Sequence, residues 1–471
     1  MRQYGDTVTR RVFAFIAVCV LLCAGALAQP AIPAERALAR EILKDLVEIP
    51  STDSDGTARA AQMLAGRLAA AGFPKEDVQV LGPDAKTQNL VARLRGSNPN
   101  ARAVLLLAHI DVVPARREDW SLDPWTFVER EGWYYGRGTS DNKAGAAMLV
   151  TNLIRLKREG WQPARDIVVL LTGDEETDQN GIKWMLRDHR ALIDAEIALN
   201  TDGGGIRTRD GVPVFFDVQA SEKIYADYQL EVTDAGGHSS LVRPGNPIYT
   251  LSAALTRIGE HQFPLHVNDA ARIFLERSSY TETGQTAIDM RAVAAVPPDQ
   301  AAAGRLSRSP VYNAQLRTTC VATRVEAGHA NNALPQLARA VVNCRILPGL
   351  PGAEVERMIR QLAGDKVKVT VLEPPVSSPP SPLTPALLDR IDRLVARHWP
   401  KLPVIPTMVA GATDGMYTRS AGIPTYGVSA INEDPEDVRA HGRDERVGVE
   451  SFHKATEFWL NLMRTFSDGS P

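Results

Sequence analysis

The chain has 471 residues, of which 44% are hydrophobic and 23% are charged, and its formal net charge at pH 7 is −3. These are the proportions of an ordinary globular protein, and they exclude a disordered chain or a collagen-like repeat. The length suffices for two domains with sizeable cores. The slightly acidic balance gives no indication of nucleic-acid binding.

The first 28 residues have the pattern of a secretory signal peptide. Arg10 and Arg11 precede an apolar run over residues 12–27, and Ala26-Leu27-Ala28 has the small-residue spacing of a cleavage site. An uncleaved membrane anchor is the alternative, but the run is shorter than the ~20 residues that a membrane-spanning helix needs. We therefore expect an exported protein, periplasmic or secreted, whose mature chain begins at Gln29.

Export would leave two cysteines in the mature chain, Cys320 and Cys344. In an oxidising compartment they can form a disulfide, and free buried thiols are the alternative. Two strand-like stretches, Arg317–Glu326 and Ala338–Leu347, are predicted to pair as a hairpin. This pairing would place the two cysteines opposite one another.

Short, continuous apolar runs recur along the chain and indicate strands that are buried on both faces of a sheet. They are Ala103–Ala108, Ile167–Leu171, Ile197–Leu199 and Tyr426–Val428. Helix-like stretches alternate with them, including Ala58–Ala71, Gly145–Arg158 and Leu387–His398. This alternation predicts an α/β domain with a mostly parallel sheet.

The middle of the chain has a different pattern. Its predicted order is a strand, a helix, a poorly patterned stretch, two strands, a helix and a strand, which resembles a small α+β sandwich. We predict a catalytic domain over residues 29–216 and 376–471, interrupted by a lid or dimerisation domain over residues 217–375. The sequence assigns no role to the poorly patterned segment Glu276–Ser309.

Polar side chains follow the apolar runs of the predicted sheet. His109 and Asp111 come after the first run, Asp174-Glu175-Glu176 after the second, and Asp202 after the third. Ligands of open α/β sheets bind beyond the carboxyl ends of the strands, so these groups should meet in one crevice. Two further candidates are Asp141, in a glycine-rich loop before a helix, and His441 near the end of the chain.

Taken singly, each of these features has an ordinary structural interpretation. A His-x-Asp sequence can cap a strand, paired glutamates often begin a helix, and Asp202 can cap the turn formed by Gly203–Gly205. Converging carboxylates, however, repel one another unless a positive charge lies between them. Imidazole and carboxylate groups are suitable ligands for zinc, so the coincidence of all these features predicts a metal site.

A pair of metal ions explains the number of acidic groups. One carboxylate can bridge two ions at the ~3.5–4 Å separation used in two-metal hydrolysis. Asp111 is well placed to accept the second ring proton of His109. Of the adjacent pair Glu175 and Glu176, one can bind metal while the other acts as a general base.

These motifs together resemble the dinuclear zinc metallopeptidase family of glutamate carboxypeptidase, aminoacylase, succinyl-diaminopimelate desuccinylase and the carnosine-type dipeptidases. The resemblance covers nearly all of the mature chain. Its motifs are His109-x-Asp111, Gly136-Arg137-Gly138-x-x-Asp141, Glu175-Glu176, Asp202, Gly236-Gly237-His238-Ser239 and His441-Gly442-x-Asp444-Glu445.

The resemblance implies a role for each residue of the crevice. One zinc ion would be held by His109 and Asp202, the other by Glu176 and His441, with Asp141 bridging them; cobalt or manganese are alternative ions. Glu175 matches the general base that takes a proton from the bridging water, and Asp111 matches the residue that orients His109.

The resemblance also implies roles for residues outside the crevice. In dimeric relatives the histidine that matches His238 stabilises the oxyanion of the reaction intermediate, often from the partner subunit. Asn331, Arg345, Gly411 and Thr413 match positions that contact the substrate, and the Arg345 guanidinium suits a carboxylate. A homodimer through the inserted domain is thus one alternative, and a monomer whose own lid closes over the crevice is the other.

The substrate is less well determined than the reaction. In the family, aspartate at the position of Asp202 is associated with dipeptidases and aminopeptidases, which favours hydrolysis of short peptides. Carboxypeptidase and N-acyl-amino-acid amidohydrolase activities are the main alternatives. A metal-dependent esterase or phosphodiesterase is a further one, and a non-catalytic binding protein is the remotest.

Overall fold

The structure is a computed structural model, and it describes residues 33–468. The predicted signal peptide lies outside this range. Within it, no helix combines the length and the apolar character needed to cross a membrane. The α-helices of the range are α1 (Ala34–Val47), α2 (Ala58–Ala70), α3 (Lys143–Arg158), α4 (Asn180–Asp188), α5 (Arg190–Ile193), α6 (Pro247–Glu260), α7 (Asp269–Ser278), α8 (Gly284–Ala294), α9 (Gln300–Leu306), α10 (Pro310–Leu316), α11 (Gly352–Ala363), α12 (Pro385–His398), α13 (Gly415–Ser420) and α14 (Val449–Ser467).

The strands of the same range are β1 (Val78–Leu81), β2 (Asn89–Leu94), β3 (Ala103–His109), β4 (Val128–Arg130), β5 (Trp133–Tyr135), β6 (Ile167–Thr172), β7 (Ala195–Asn200), β8 (Gly205–Arg209), β9 (Val212–Glu222), β10 (Ile224–Thr233), β11 (Gly237–His238), β12 (Thr319–Ala327), β13 (Ala333–Leu334), β14 (Leu337–Ile346), β15 (Lys368–Glu373), β16 (Val404–Val409), β17 (Thr425–Gly427), β18 (Asn432–Glu433) and β19 (Arg446–Gly448).

A ten-stranded sheet forms the larger part of the molecule, in the order β1-β2-β6-β3-β7-β17-β9-β8-β18, with β16 paired to β9. Its central strands β6, β3, β7 and β17 run parallel to one another. Every residue of β3 and β6 is buried, as continuous Val and Leu runs require of strands covered on both faces. The predicted mostly parallel α/β sheet is confirmed.

Helices cover both faces of this sheet. The first core layer joins α1, α2, α3, α12 and α14 to one face, and the second joins α4 and α5 to the other. Helix α3 is buried along nearly its whole length because it lies between the sheet and neighbouring helices. The layers fix the strand ends, and with them the loops that follow β3, β6 and β7.

A separate four-stranded antiparallel sheet has the order β12-β14-β10-β15, and it packs against α6 and α11 around its own core. The predicted succession of strand, helix, two strands, helix and strand is therefore present. Cys320 pairs with Cys344 in the register of β12 and β14, and the two form a disulfide. The hairpin prediction is confirmed, and the choice between a disulfide and free thiols is resolved in favour of the disulfide.

The segment Glu276–Ser309 contains the end of α7 together with α8 and α9, and helices α7 to α10 pack against the large sheet. Phe274, Leu275 and Leu316 share a core cluster with Ile405 of β16. The Arg277 guanidinium also donates to the Val404 carbonyl at 2.6 Å. These helices therefore cover the large sheet at β16, a placement that the sequence pattern did not indicate. The predicted domain boundaries themselves stay a prediction.

Lys223 occupies the junction between the two sheets, directly between β9 and β10. Its side chain is fully buried, and its Nζ donates to the Arg317 carbonyl at 2.8 Å and to the Thr319 hydroxyl at 3.1 Å. Burial lowers the pKa of Lys223 to about 7, because the charged amine loses its hydration. The junction thus holds a lysine that is readily neutralised.

This lysine should make stability depend on pH. Between about pH 7 and pH 10 the unfolded chain keeps a proton that the folded chain has lost, so the free energy of unfolding rises with pH by up to ~1.4 kcal/mol per pH unit from this group. Lys223→Met lacks this contribution. We expect the stability of Lys223→Met relative to the wild type to decrease between pH 7 and pH 9, measured by urea unfolding. A matched change at the exposed Lys75 should give a difference that does not vary with pH.

Candidate active site

Three neighbouring parallel strands bring the predicted site residues to one edge of the large sheet. His109 is the last residue of β3, Glu175 and Glu176 lie in the loop after β6, and Asp202 lies just beyond β7. Asp141 stands two residues before α3. The carboxyl ends of adjacent parallel strands meet at the same edge, which is where α/β proteins bind ligands.

Asp141 lies between the two histidines. Its Oδ1 is 2.9 Å from Nε2 of His109, and its Oδ2 is 3.2 Å from Nε2 of His441. The same His441 nitrogen lies 2.9 Å from Oε1 of Glu176. The Asp141 carboxylate thus faces both predicted histidine ligands, one of which also contacts Glu176.

Glu175 and Asp202 complete the cluster on its other side. One ligand atom from each of Glu175, Asp202 and His109 lies within 4.8 Å of the others, and the same holds for His109, Asp141 and Glu176. Burial, reinforced by neighbouring carboxylates, raises the pKa of both Glu175 and Asp202 well above the ordinary range. The side chains are therefore crowded acids in need of a positive counter-charge.

The same crowding raises the pKa of the two histidines, which favours their charged form. Hydrogen bonds to Asp141 and Glu176 raise the pKa of His441 to about 10. For His109, burial acts to lower the pKa, but the Asp111 and Asp141 carboxylates outweigh it and raise the pKa well above its usual value. Each histidine nitrogen that faces an acid would serve equally as a metal ligand. The donor set of imidazoles and carboxylates therefore fits divalent ions such as zinc.

Asp111 acts on both sides of the crevice. Nδ1 of His109 lies 3.1 Å from the Asp111 backbone carbonyl and 3.4 Å from its Oδ1. The Asp111 carboxylate also accepts the backbone amides of Glu175 at 3.1 Å and Glu176 at 2.9 Å. Asp111 therefore holds the glutamate loop in addition to facing His109. These two amide contacts were not predicted.

Close backbone packing fixes the loop of Asp141 against β7. A Cβ added to Gly145 would lie 2.1 Å from the Thr201 hydroxyl and 2.2 Å from Oδ1 of Asn142. Those two side chains already share a hydrogen bond of 2.7 Å. Only glycine leaves room for this contact, which seats the beginning of α3 beside the turn that carries Asp202.

The structure adds acidic residues that the sequence analysis did not assign. Asp414 is buried, it accepts a hydrogen bond from Thr172, and burial raises its pKa to about 7. Asp174 accepts the amides of Asn180 and Gly181 at the start of α4, and burial raises its pKa to about 6. Their roles depend on contacts between distant segments, which no local pattern reveals.

The predicted substrate residues fall into two groups. Gly411 and Thr413 line the crevice, although the Thr413 hydroxyl donates to the buried Glu222 at 2.7 Å. Arg345, on β14, donates to the Ala410 carbonyl at 3.1 Å and so touches the same loop. His238 and Asn331 are exposed and do not line the crevice. Their predicted roles therefore require a movement of the smaller sheet or a second chain.

A cavity of about 960 Å³ opens beside the cluster, within the usual range for ligand pockets. It runs from Asp141 and Asp202 along β8 and the segment 429–451. Arginines and acids line it together with the apolar side chains of Trp133, Ile431 and Val438. The cluster thus lies at one end of a long, mixed groove.

The sequence profile described as Peptidase family M20/M25/M40 matches residues 105–465. This span includes all five predicted metal ligands. The chain belongs to this peptidase family. It is accordingly a hydrolase of the metallopeptidase or amidohydrolase type.

Two relatives and a solved structure resemble the chain over most of its length. Human N-fatty-acyl-amino acid synthase/hydrolase PM20D1 is 28% identical over 454 residues, which cover 91% of this chain and 88% of the relative. Aminoacylase-1 of Pongo abelii is 26% identical over 379 residues, 78% of this chain and 81% of the relative. The M20 family metallo-carboxypeptidase Sso-CP2 from Sulfolobus solfataricus superposes with a TM-score of 0.67 at 16% identity, covering 93% of this chain and all of that one, so it shares the fold.

Proposed function

We propose that this chain is an exported, zinc-dependent amidohydrolase that cleaves the amide bond of N-acyl amino acids. The observation that carries the proposal is the pairing of the acids that line the cavity outside the cluster. Most are neutralised by arginines: Glu129 by Arg40, Glu433 by Arg207, Asp437 by Arg439 and Arg446, and Glu450 by Arg36. A peptide with a free amino group would need a cavity carboxylate without an arginine partner to bind its ammonium group, whereas an acylated amine carries no charge.

Two further features support an N-acyl substrate. The volume of the cavity and its apolar residues Trp133, Ile431 and Val438 suit an acyl chain. Arg345 forms no ion pair within residues 33–468, and its guanidinium lies 4.6 Å from the Tyr225 ring centroid beside the Gly411 loop. A substrate carboxylate would satisfy this guanidinium by two parallel hydrogen bonds. The similarity to PM20D1 and aminoacylase-1 points the same way.

The residues of the cluster divide the work of hydrolysis. Divalent ions bound there would lower the pKa of a water molecule and polarise the amide carbonyl. His109, Asp141, Glu176, Asp202 and His441 would hold two ions per chain. Glu175, partly buried beside the cluster, accepts the proton of the attacking water and delivers it to the leaving nitrogen. The products are a carboxylate and an amine.

A carboxylate-binding role makes Arg345 testable. We expect Arg345→Ala to lower kcat/KM for N-acyl amino acids by roughly 10- to 100-fold, the value of a charge-assisted hydrogen bond. The matched substrates are the same compounds with an amidated carboxyl group, for which wild type and variant should be equally slow. Equal losses on both substrates would show that Arg345 does not bind the carboxylate.

Dipeptide hydrolysis is the second candidate, and two observations favour it. Residue 202 is an aspartate, and in the family an aspartate at this position is associated with dipeptidases and aminopeptidases. Asp434 also lines the cavity, and among the cavity acids outside the cluster it is the one for which residues 33–468 provide no ion pair. Its Oδ1 accepts only the nearby Glu436 amide, at 3.0 Å, so it could receive an ammonium group.

A substrate panel decides between the two candidates. Protein beginning at Gln29 and loaded with zinc would be assayed against N-acyl amino acids of short and long acyl chain and against dipeptides. We expect the N-acyl amino acids to be cleaved with the higher kcat/KM and Asp434→Asn to leave their rates unchanged. Preferential cleavage of dipeptides, lost in Asp434→Asn, would establish the second candidate and contradict the first.

We further propose export by the predicted signal peptide and a homodimer through the 217–375 domain. The exposure of His238 supports the dimer, since a residue outside the crevice of its own chain can act only across an interface or after closure. Light scattering of the purified protein tests the dimer. A monomer in which His238→Ala retains full activity would contradict both the homodimer and the role of His238.

A further inference from the structure

The carboxylate of Glu445 is completely buried and receives five hydrogen bonds from the loop that carries Asp141. Its Oε1 accepts the Ser140 amide at 2.8 Å, the Ser140 hydroxyl at 2.9 Å and the Asp141 amide at 3.0 Å. Its Oε2 accepts Nη1 of Arg137 at 2.6 Å and the Gly138 amide at 3.0 Å. The loop is thus wrapped around a single side chain.

Arg137 supplies the counter-charge that this burial requires. Its side chain is also buried, and its guanidinium lies 5.0 Å from the ring centroid of Trp120. A buried carboxylate is tolerated only when it is paired and its oxygens are hydrogen-bonded, and both conditions are met here. The glycine-rich loop therefore has an ion pair at its centre.

The backbone around Glu445 joins this loop to the loop of His441. The Glu445 carbonyl accepts the Gly136 amide at 3.1 Å, and β19 pairs with β5 immediately beyond. On the other side, Asp444 accepts the Ser121 amide at 2.9 Å. His441, four residues earlier, has a left-handed backbone with φ of 62°, a conformation that its surroundings must hold in place.

We propose that Glu445 is a positioning residue that fixes the Asp141 carboxylate relative to His441. Asp141 faces both histidines at 2.9 and 3.2 Å, so a small shift of its loop would separate it from one of them. Metal ligands tolerate deviations of only ~0.2 Å from their ideal distances. The inference rests on the metal site of the proposed function, but not on the identity of the substrate.

Glu445→Gln is the informative substitution because it preserves size, removes the negative charge and replaces one acceptor oxygen with a donor nitrogen. Every contact that Glu445 makes is with a donor, so the amide nitrogen of glutamine would face donors in either orientation. Asp289→Asn is the matched control. Asp289 is likewise buried and accepts hydrogen bonds from Arg305 and Gln285 at 2.7 to 2.9 Å, but it belongs to α8.

The test measures metal binding directly, by calorimetric titration of chelator-treated protein with zinc and by the visible absorption spectrum of the cobalt-loaded form. We expect Glu445→Gln to bind zinc roughly 10- to 100-fold more weakly, as loss of an outer partner of a metal ligand does. Its cobalt spectrum should change, and at saturating metal kcat should fall with little change in KM. Asp289→Asn should match the wild type in all three.

A melting temperature that falls while zinc affinity, cobalt spectrum and kcat stay at wild-type values would overturn the proposal and leave Glu445 a stabilising residue only. If Glu445→Gln does not fold, Ser140→Ala removes one of the five hydrogen bonds and should weaken zinc binding roughly 2- to 10-fold; unchanged affinity in that variant would also overturn it. Wild-type protein that cleaves no panel substrate but binds zinc more tightly than Glu445→Gln would contradict the proposed function and support this inference.

Discussion

Replacing Glu175 with glutamine should slow hydrolysis by ~10²- to 10⁴-fold and leave the metal content unchanged. Glutamine has nearly the same shape but cannot accept a proton from water, and general-base catalysis contributes ~10²- to 10⁴-fold to a rate. A carboxylate oxygen of Glu175 lies within 4.8 Å of ligand atoms of His109 and Asp202. Glu175 is therefore near enough to the cluster to act as the base, and its alternative role is that of a metal ligand. We therefore expect kcat to fall by that factor, with two ions per chain retained.

The control for this variant is Asp178→Asn, which changes an exposed acid on the same loop and should retain full activity. The measurement combines steady-state kinetics with metal analysis by mass spectrometry. Wild-type activity in Glu175→Gln would show that another residue is the base. Loss of one ion would show instead that Glu175 is a ligand.

The second large effect is expected at Asp141. Its two oxygens face Nε2 of His109 and Nε2 of His441, so a single carboxylate serves both sides of the cluster. Asp141→Asn keeps the volume but removes the charge that two cations would share. We expect the variant to retain fewer than two ions per chain and to lose more activity than the ~10- to 100-fold that loss of an outer partner costs.

Asp174→Asn is the matched control for Asp141→Asn. Asp174 lies in the glutamate loop itself, directly before Glu175, and its oxygens accept the amides of Asn180 and Gly181. This variant should lower the melting temperature and keep two ions. Equal metal content in Asp141→Asn and the wild type would contradict the assignment of Asp141 as the bridging residue.

The sequence allowed the main features of the fold to be predicted because they depend on local patterns. Runs such as Ala103–Ala108 are apolar at every position, and strands of that kind are buried on both faces. The polar residues that end them are then brought together by topology alone. This is why His109, Glu175 and Asp202 could be placed at one crevice before any contact was known.

What could not be predicted depends on contacts between distant segments. Glu445 lies more than three hundred positions from the loop that surrounds it, so the motif that contains it did not reveal these contacts. The neutralisation of the cavity acids by arginines is equally non-local. These pairings shift the proposed substrate from a short peptide, which the sequence favoured through Asp202, to an N-acyl amino acid.

The helices α7 to α10 were missed for a different reason. Helix α8 has no clear apolar stripe, so no periodicity marked its buried face. Packing against β16 stabilises these helices in the folded protein. The Cys320–Cys344 bridge, by contrast, followed from strand register, and only its oxidation state had been left open.

Stepwise return of zinc to chelator-treated protein, with hydrolysis of an N-acyl amino acid measured at each step, tests the two-metal site most directly. We expect the metal-free protein to be inactive and the rate to rise until two zinc ions are bound per chain, because His109 and Asp202 would hold one ion and Glu176 and His441 the other. Full activity in the metal-free protein, or a maximal rate with a single ion bound, would contradict a dinuclear hydrolase.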